Sequence, residues 1–271
     1  MLKKILLSCL WIQGSFAGVS TSPLLTEEGY LIPPLVQIAE LYKVDPPDQL
    51  SSFVAFSQRY WILGGERWEF PKDENSSIIM QVMQDLACIE EVHAKEKVYT
   101  YALLLGSTEK NMKERISFLI SEWENGVRFS HVVLLSGERP LDSKIEPMAG
   151  SFSTESALLT HLWQVMIPDE MRSIPYFLVS SAMKSNGKRP TTGDTVIDWL
   201  KERPSPGHCI AISSQPFIGY QHSVLQILSP TFTIETIGPK RQGPLPLPLS
   251  LDTLAKWMYQ ENLRLTKESF P

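Results

Sequence analysis

Four apolar runs in this chain each end in small polar residues and then give way to a helix-forming stretch: YALLLGST at 101–108, VVLLSGERP at 132–140, YFLVSSAM at 176–183 and CIAISSQP at 209–216. Strands buried on both faces read as unbroken apolar blocks. Strands that alternate with helices form a parallel sheet, because each parallel pair needs a crossover between its members. In open sheets of this kind a ligand lies beyond the carboxyl ends of the strands, which is where the terminal Gly and Ser residues of these runs belong.

Between the runs the apolar period changes to that of a helix. Met112, Ile116, Leu119, Ile120 and Trp123 form one stripe, and Leu158, Leu159, Leu162 and Trp163 form a second behind Ser153, read as an N-cap. Val196, Trp199 and Leu200 share a face within 191–203, and Val224, Leu225 and Leu228 follow a helix start at Pro216. A weaker strand is expected at 232–237. The fold class predicted is α/β, a Rossmann-like three-layer sandwich with a mostly parallel sheet spanning 98–271. Its Pro-rich stretch 239–248, with QGPLPLP at 242–248, reads as an extended connector. A final helix over 251–267 would bury Leu254, Trp257 and Met258.

Residues 18–97 read as an N-terminal helical region packed on that domain. Leu35, Ile38, Ala39 and Tyr42 share one helical face, and Ile79, Val82, Met83 and Leu86 share another. The stretch at 60–70 is too aromatic for a free linker and is expected to pack on the main domain.

The first residues carry Lys3 and Lys4, an apolar run at 5–12, and then Ser15-Phe16-Ala17, which suits a leader cleaved after Ala17. Residues 1–17 are therefore expected to be a signal peptide, and the protein exported to a bacterial periplasm or secreted. The alternatives are an uncleaved anchor, a buried helix, or lipid modification at Cys9. After leader cleavage no integral membrane segment is expected. A net charge of −5 argues against a polyanion-binding surface and hence against nucleic acid as a partner. Cys88 and Cys209 form no paired metal-ligand spacing, and the five histidines are scattered, so no metal site is expected.

Small residues at strand ends let an anion approach backbone amides, so Gly106, Ser107, Ser136, Gly137, Ser213 and Ser214 are candidate ligand contacts. Each one singly also serves a tight strand-to-helix turn. Glu138 and Arg139 bring a carboxylate and a guanidinium to the same edge, the guanidinium suited to phosphate, unless the two simply pair at the surface. Glu155 falls in the first turn of its helix, where the helix dipole alone accounts for it. The polar run KSNGKRPTTGDT at 184–195 offers Thr192, Asp194 and Thr195, either to a ligand beneath the loop or to the start of the next helix. No nucleophile elbow, Walker loop or dinucleotide fingerprint follows a strand, and no general base can be named. Catalytic residues and cofactor are unknown at this level.

These strand ends resemble the YdcF, SanA and ElyC family of bacterial envelope-associated proteins. Gly106 stands at that family's first strand end and Ser136-Gly137 at its Ser-Gly-Gly, with Glu138 replacing the last glycine. Glu155 matches its early helical acid, Thr192 its threonine, and Asp194 or Thr195 falls near its asparagine. Ser213-Ser214 resembles its Thr-Ser pair. Where the family continues with His and Arg, this chain has Gln215 and, further on, Tyr220. The likeness covers residues 99–239. It implies a phosphate-bearing or nucleotide-like small molecule bound at the strand ends, in cell-envelope metabolism. The competing expectation is a non-catalytic interaction protein that keeps the fold without the chemistry. An open polar pocket would favour the first reading, and a pocket plugged by residues 60–70 the second.

Overall fold

The computed structural model describes residues 22–63, 77–243 and 245–268. The leader and most of the aromatic stretch at 60–70 lie outside the described residues. Three helices come first: α1 (Pro33–Leu41), α2 (Leu50–Tyr60) and α3 (Ser77–Asp85). Their apolar faces are those expected for α1 and α3, with Leu35, Ile38 and Ala39 buried on one and Ile79, Val82 and Met83 on the other. The helix α2 was not separately legible in the sequence and buries Phe53 and Val54.

Strand and helix then alternate as β1 (Val98–Leu105), α4 (Glu109–Glu124), β2 (Arg128–Gly137), α5 (Glu155–Met166), β3 (Tyr176–Ser181), α6 (Thr192–Lys201), β4 (His208–Ile212), α7 (Ile218–Leu228) and β5 (Thr233–Ile237), before the long α8 (Leu247–Glu268). All strand pairs are parallel, in the order β3-β2-β1-β4-β5. The chain is thus a Rossmann-like α/β sandwich.

The side-chain period of two sorts the strands onto two faces. Ala102 and Leu104 of β1, Val132 and Leu134 of β2, and Ile210 and Ile212 of β4 pack with Met112, Ile116 and Leu119 of α4 and Leu158, Leu162 and Trp163 of α5. Leu103, Leu105, Val133, Leu135, Cys209 and Ala211 turn the other way, against Val196 and Trp199 of α6 and Leu225 of α7. A third apolar cluster joins α1, α2 and α3 to α8 through Phe53, Ile79, Leu254, Trp257 and Met258, and it reaches Phe217 ahead of α7. The N-terminal region is therefore fastened to the sandwich by α8. Each fully buried aliphatic side chain in these clusters contributes about 1.5–3 kcal/mol.

Helix ends differ from expectation in three places. Thr154, rather than Ser153, caps α5, its hydroxyl accepting from the Ala157 N–H at 3.3 Å. Pro216 does not open α7: the Phe217 N–H bonds the Ser214 carbonyl in a turn, and the helix begins at Ile218. The proline-rich connector is shorter than its composition suggests, because α8 starts at Leu247 and holds Pro248 in its first turn, where no N–H is needed. No helix among the described residues is long and apolar enough to cross a membrane.

Candidate functional site

Successive crossovers carry the chain from β1 through β2 to β3 on one side, and then to β4 and β5 on the other. The crevice between the carboxyl ends of β1 and β4 is the topological switch point of the sheet. Gly106 leaves β1 there, its N–H held by the Leu135 carbonyl at 2.6 Å. A side chain at 106 has no room: a Cβ would lie 2.2 Å from Glu155 Oε1 and 2.9 Å from Ser136 Oγ.

Across this crevice reaches Arg115 of α4, a residue the sequence reading missed. Its Nη1 donates to the carbonyls of Leu105 (2.7 Å) and Gly106 (2.9 Å), and its Nε donates to Ser214 Oγ at 2.8 Å, tying the ends of β1 and β4 together. It is almost wholly buried. The signal was present in the stripe, because position 115 is three residues beyond Met112 and four before Leu119, on the face that goes into the core.

At the end of β2 the guanidinium of Arg139 is engaged on every side. Nε meets Glu155 Oε2 at 2.8 Å, Nη1 and Nη2 straddle the two oxygens of Glu146 at 2.9 and 2.8 Å, and the carbonyls of Pro140 and Ser107 accept at 3.2 Å each. These bonds use all five donors of the fork. Arg139, offered by the sequence as an anion ligand, is committed by the fold to two carboxylates. The alternative of a surface pair between Arg139 and Glu138 is not what forms, since Glu138 accepts from Ser156 at 3.0 Å and from Ser180. Burial opposes the charge on Arg139, yet Glu146 and Glu155 outweigh it and hold its pKa above the ordinary arginine range. Burial likewise acts to raise the pKa of Glu146. Arg139 and the N–H groups of Asp142 and Glu109 overcome it, leaving the carboxyl below the usual range. Ser136 donates to Glu155 at 3.0 Å and completes the network.

Beyond β3 the loop turns at Gly187 and brings Pro190 against Gly137, where a Cβ on the glycine would meet the ring at 2.2 Å. Thr191, one residue before the expected threonine, caps α6 in a capping box with Asp194, which also pairs with Lys184 at 2.8 Å. Burial would raise the pKa of Asp194, but Lys184 and Thr191 lower it on balance. Thr195 donates to the Thr192 carbonyl at 2.9 Å. Gln221 of α7 links the two helix starts, accepting from Ser213 and donating to Thr192 Oγ1 at 3.2 Å. Gln215 turns away from the crevice, its amide donating to the carbonyls of Ala87 (2.6 Å) and Glu90 (2.8 Å).

Above the switch point opens a cavity of about 590 Å³, walled by α6, α7 and α8 and reached by Gln58 of α2. Of the residues expected from sequence, Gly106, Ser107, Gly137, Arg139, Glu155, Thr192, Asp194, Thr195 and Tyr220 line it. Ser136, Glu138, Ser213, Ser214 and Gln215 are not among its lining residues. Arg115, Arg189, Gln221, Lys256, Tyr259 and Gln260 join the lining, those on α8 because a distant helix folds back over the strand ends. Four cationic side chains (Arg115, Arg139, Arg189 and Lys256) thus line the cavity with two carboxylates, Glu155 and Asp194, and Lys256 donates to the buried Asp252 at 2.6 Å. Among the described residues no three His, Cys, Asp or Glu side chains gather as metal ligands would. Whether the aromatic stretch closes this cavity rests on residues 64–70, which lie outside the described residues. Compared with known proteins, the chain matches no family model, no curated protein and no solved structure.

Proposed function

We propose that the cavity at the β1/β4 switch point binds a small anionic molecule, phosphorylated or nucleotide-like. The observation that carries this reading is the coincidence of place and charge: the crevice where open parallel sheets bind ligands opens into a space of about 590 Å³ lined by four cationic and two anionic side chains. The first turn of α6, with Thr192, Gly193 and Asp194 in the wall, adds the positive end of a helix dipole. Arg189 and Lys256 are the cations to test, because both line the cavity and stand outside the Arg139–Glu146–Glu155 network that holds the strand ends together. On the same reading the protein is exported after loss of residues 1–17 and acts in the cell envelope, as its YdcF-like strand ends imply.

Thermal-shift titration with nucleotides, sugar phosphates and isoprenoid phosphates, each beside its unphosphorylated counterpart, tests the proposal. A phosphorylated member is expected to raise the melting temperature where its neutral counterpart does not, because a ligand selective for the folded state stabilises it. Arg189→Gln and Lys256→Gln are each expected to weaken that ligand about tenfold, the scale of one charged hydrogen bond. Equal responses to charged and neutral members, or none to either, would refute it.

A further inference from the structure

The two edges of the sheet are treated differently. Just past the end of β5, Val92 and Gly238 exchange backbone hydrogen bonds of 3.0 Å, and the Lys95 N–H rests on Glu235 Oε1 at 2.8 Å, so residues 92–95 lie against that edge, where Ile234 and Thr236 are buried. At the opposite edge lies β3, and no described strand or bridge pairs with its outer side. Its first three residues are large, apolar and open to solvent, with Tyr176 at 41%, Phe177 at 46% and Leu178 at 36% exposure. The strand YFLVSS has no charge and no proline within it, the devices that normally keep an edge from pairing. Tyr176 and Leu178 lie on one face of the sheet and Phe177 on the other, beside a groove of about 340 Å³ shared with Tyr101, His131 and Trp199.

The hydrogen-bonding direction of β3 can be read from its partner strand. The Val132 N–H donates to the Pro175 carbonyl and the Glu138 N–H to the Ser181 carbonyl. The period of two therefore aims residues 175, 177, 179 and 181 at β2 and turns the N–H and C=O of Tyr176, Leu178 and Ser180 outward. Such an array is complementary to itself under a two-fold axis through Leu178: each Leu178 faces its mate, and Tyr176 faces Ser180 of the other copy. The flanks carry matching charge. Before the strand, Asp169 is paired with Arg172 and Glu170 adds negative charge; after it, Lys184 is paired with Asp194 and Lys188 adds positive charge. Antiparallel pairing brings the acidic end of one copy to the basic end of the other, whereas parallel pairing would set like against like.

We propose that β3 is a homodimer interface, two copies joining their edges antiparallel about Leu178 into one continuous ten-stranded sheet. The loop that carries Arg189 and Pro190 to the cavity wall starts directly after β3, so each copy would brace the other's wall.

Sedimentation of the purified protein tests this, with wild type expected as a dimer and Leu178→Lys expected to raise the dimer Kd at least tenfold at unchanged circular dichroism. A cysteine variant supplies a readout independent of that substitution's effect on folding. In a Cys9→Ser background, Leu178→Cys is expected to form an intermolecular disulfide under mild oxidation, because facing hydrogen-bonded residues have Cα atoms about 5.5 Å apart. Tyr30→Cys, exposed on the N-terminal region, is expected to form none. A wild type monomeric at about 100 μM, a Leu178→Lys dimer of unchanged Kd, or cross-linking no better at 178 than at 30 would each overturn the proposal.

Discussion

Gly106 owes its identity to what surrounds it. Its missing side chain is the space in which Glu155 turns toward Ser136 and Arg139. Gly106→Ala is expected to push that carboxylate out of its hydrogen bonds and to destabilise the protein by about 1–3 kcal/mol, measured by urea unfolding. Glu146 gives a pH dependence of definite sign. Its folded pKa lies below its unfolded value, so its contribution is present above the unfolded value of about 4.3 and is lost as pH falls through the lower folded value. Acid unfolding followed below pH 4 should therefore be shallower in Glu146→Gln than in wild type. At neutral pH that variant should be less stable by about 3 kcal/mol, the cost of breaking a buried pair.

At the scale of elements, the covered edge of the sheet depends on one segment held to one helix. His93 sits between Val92, bonded to Gly238, and Lys95, bonded to Glu235 of β5, and meets Glu122 of α4 through Nδ1 at 2.5 Å, its ring stacked on Phe118. The hydrogen bond that His93 makes to Glu122 raises its pKa above the ordinary histidine value, with burial opposing the shift and Glu91 adding to it. A raised folded pKa stabilises fully below the unfolded value of about 6.5 and fades as pH rises through the folded one. Wild type is accordingly expected to lose stability between pH 6 and pH 8 by an amount that His93→Gln removes, read from paired urea titrations. Equal losses in both proteins would assign the pH dependence elsewhere.

For the molecule as a whole, α8 makes one cooperative unit of two regions that the sequence shows as separate. Its apolar face fills the cluster built by α1, α2 and α3, and Trp257 packs so closely on α7 that a Cβ at Gly219 would touch its ring at 2.5 Å. Urea unfolding should therefore follow one transition, with tryptophan fluorescence and far-ultraviolet circular dichroism coincident. Two separated transitions would show that the N-terminal helices unfold alone. The parallel sheet, its two helical layers and the small residues at its strand ends were legible in the sequence, because burial on both faces writes itself as apolar runs and helical stripes within a few residues of chain. The helix α2, the early start of α8 and the role of Arg115 were less accessible, since a weak stripe, a proline in a first turn and one charge on an apolar face each read locally as something else. What a carboxylate or amide finally touches depends on groups far away along the chain. Arg139 meets Glu146 and Glu155, Gln215 meets Ala87 and Glu90, and Lys256 enters the cavity wall only once α8 has folded back. Local periodicity follows from the backbone's own geometry and can be read along the chain. Polar partnership is settled by desolvation and distance in three dimensions, and so belongs to the tertiary structure alone.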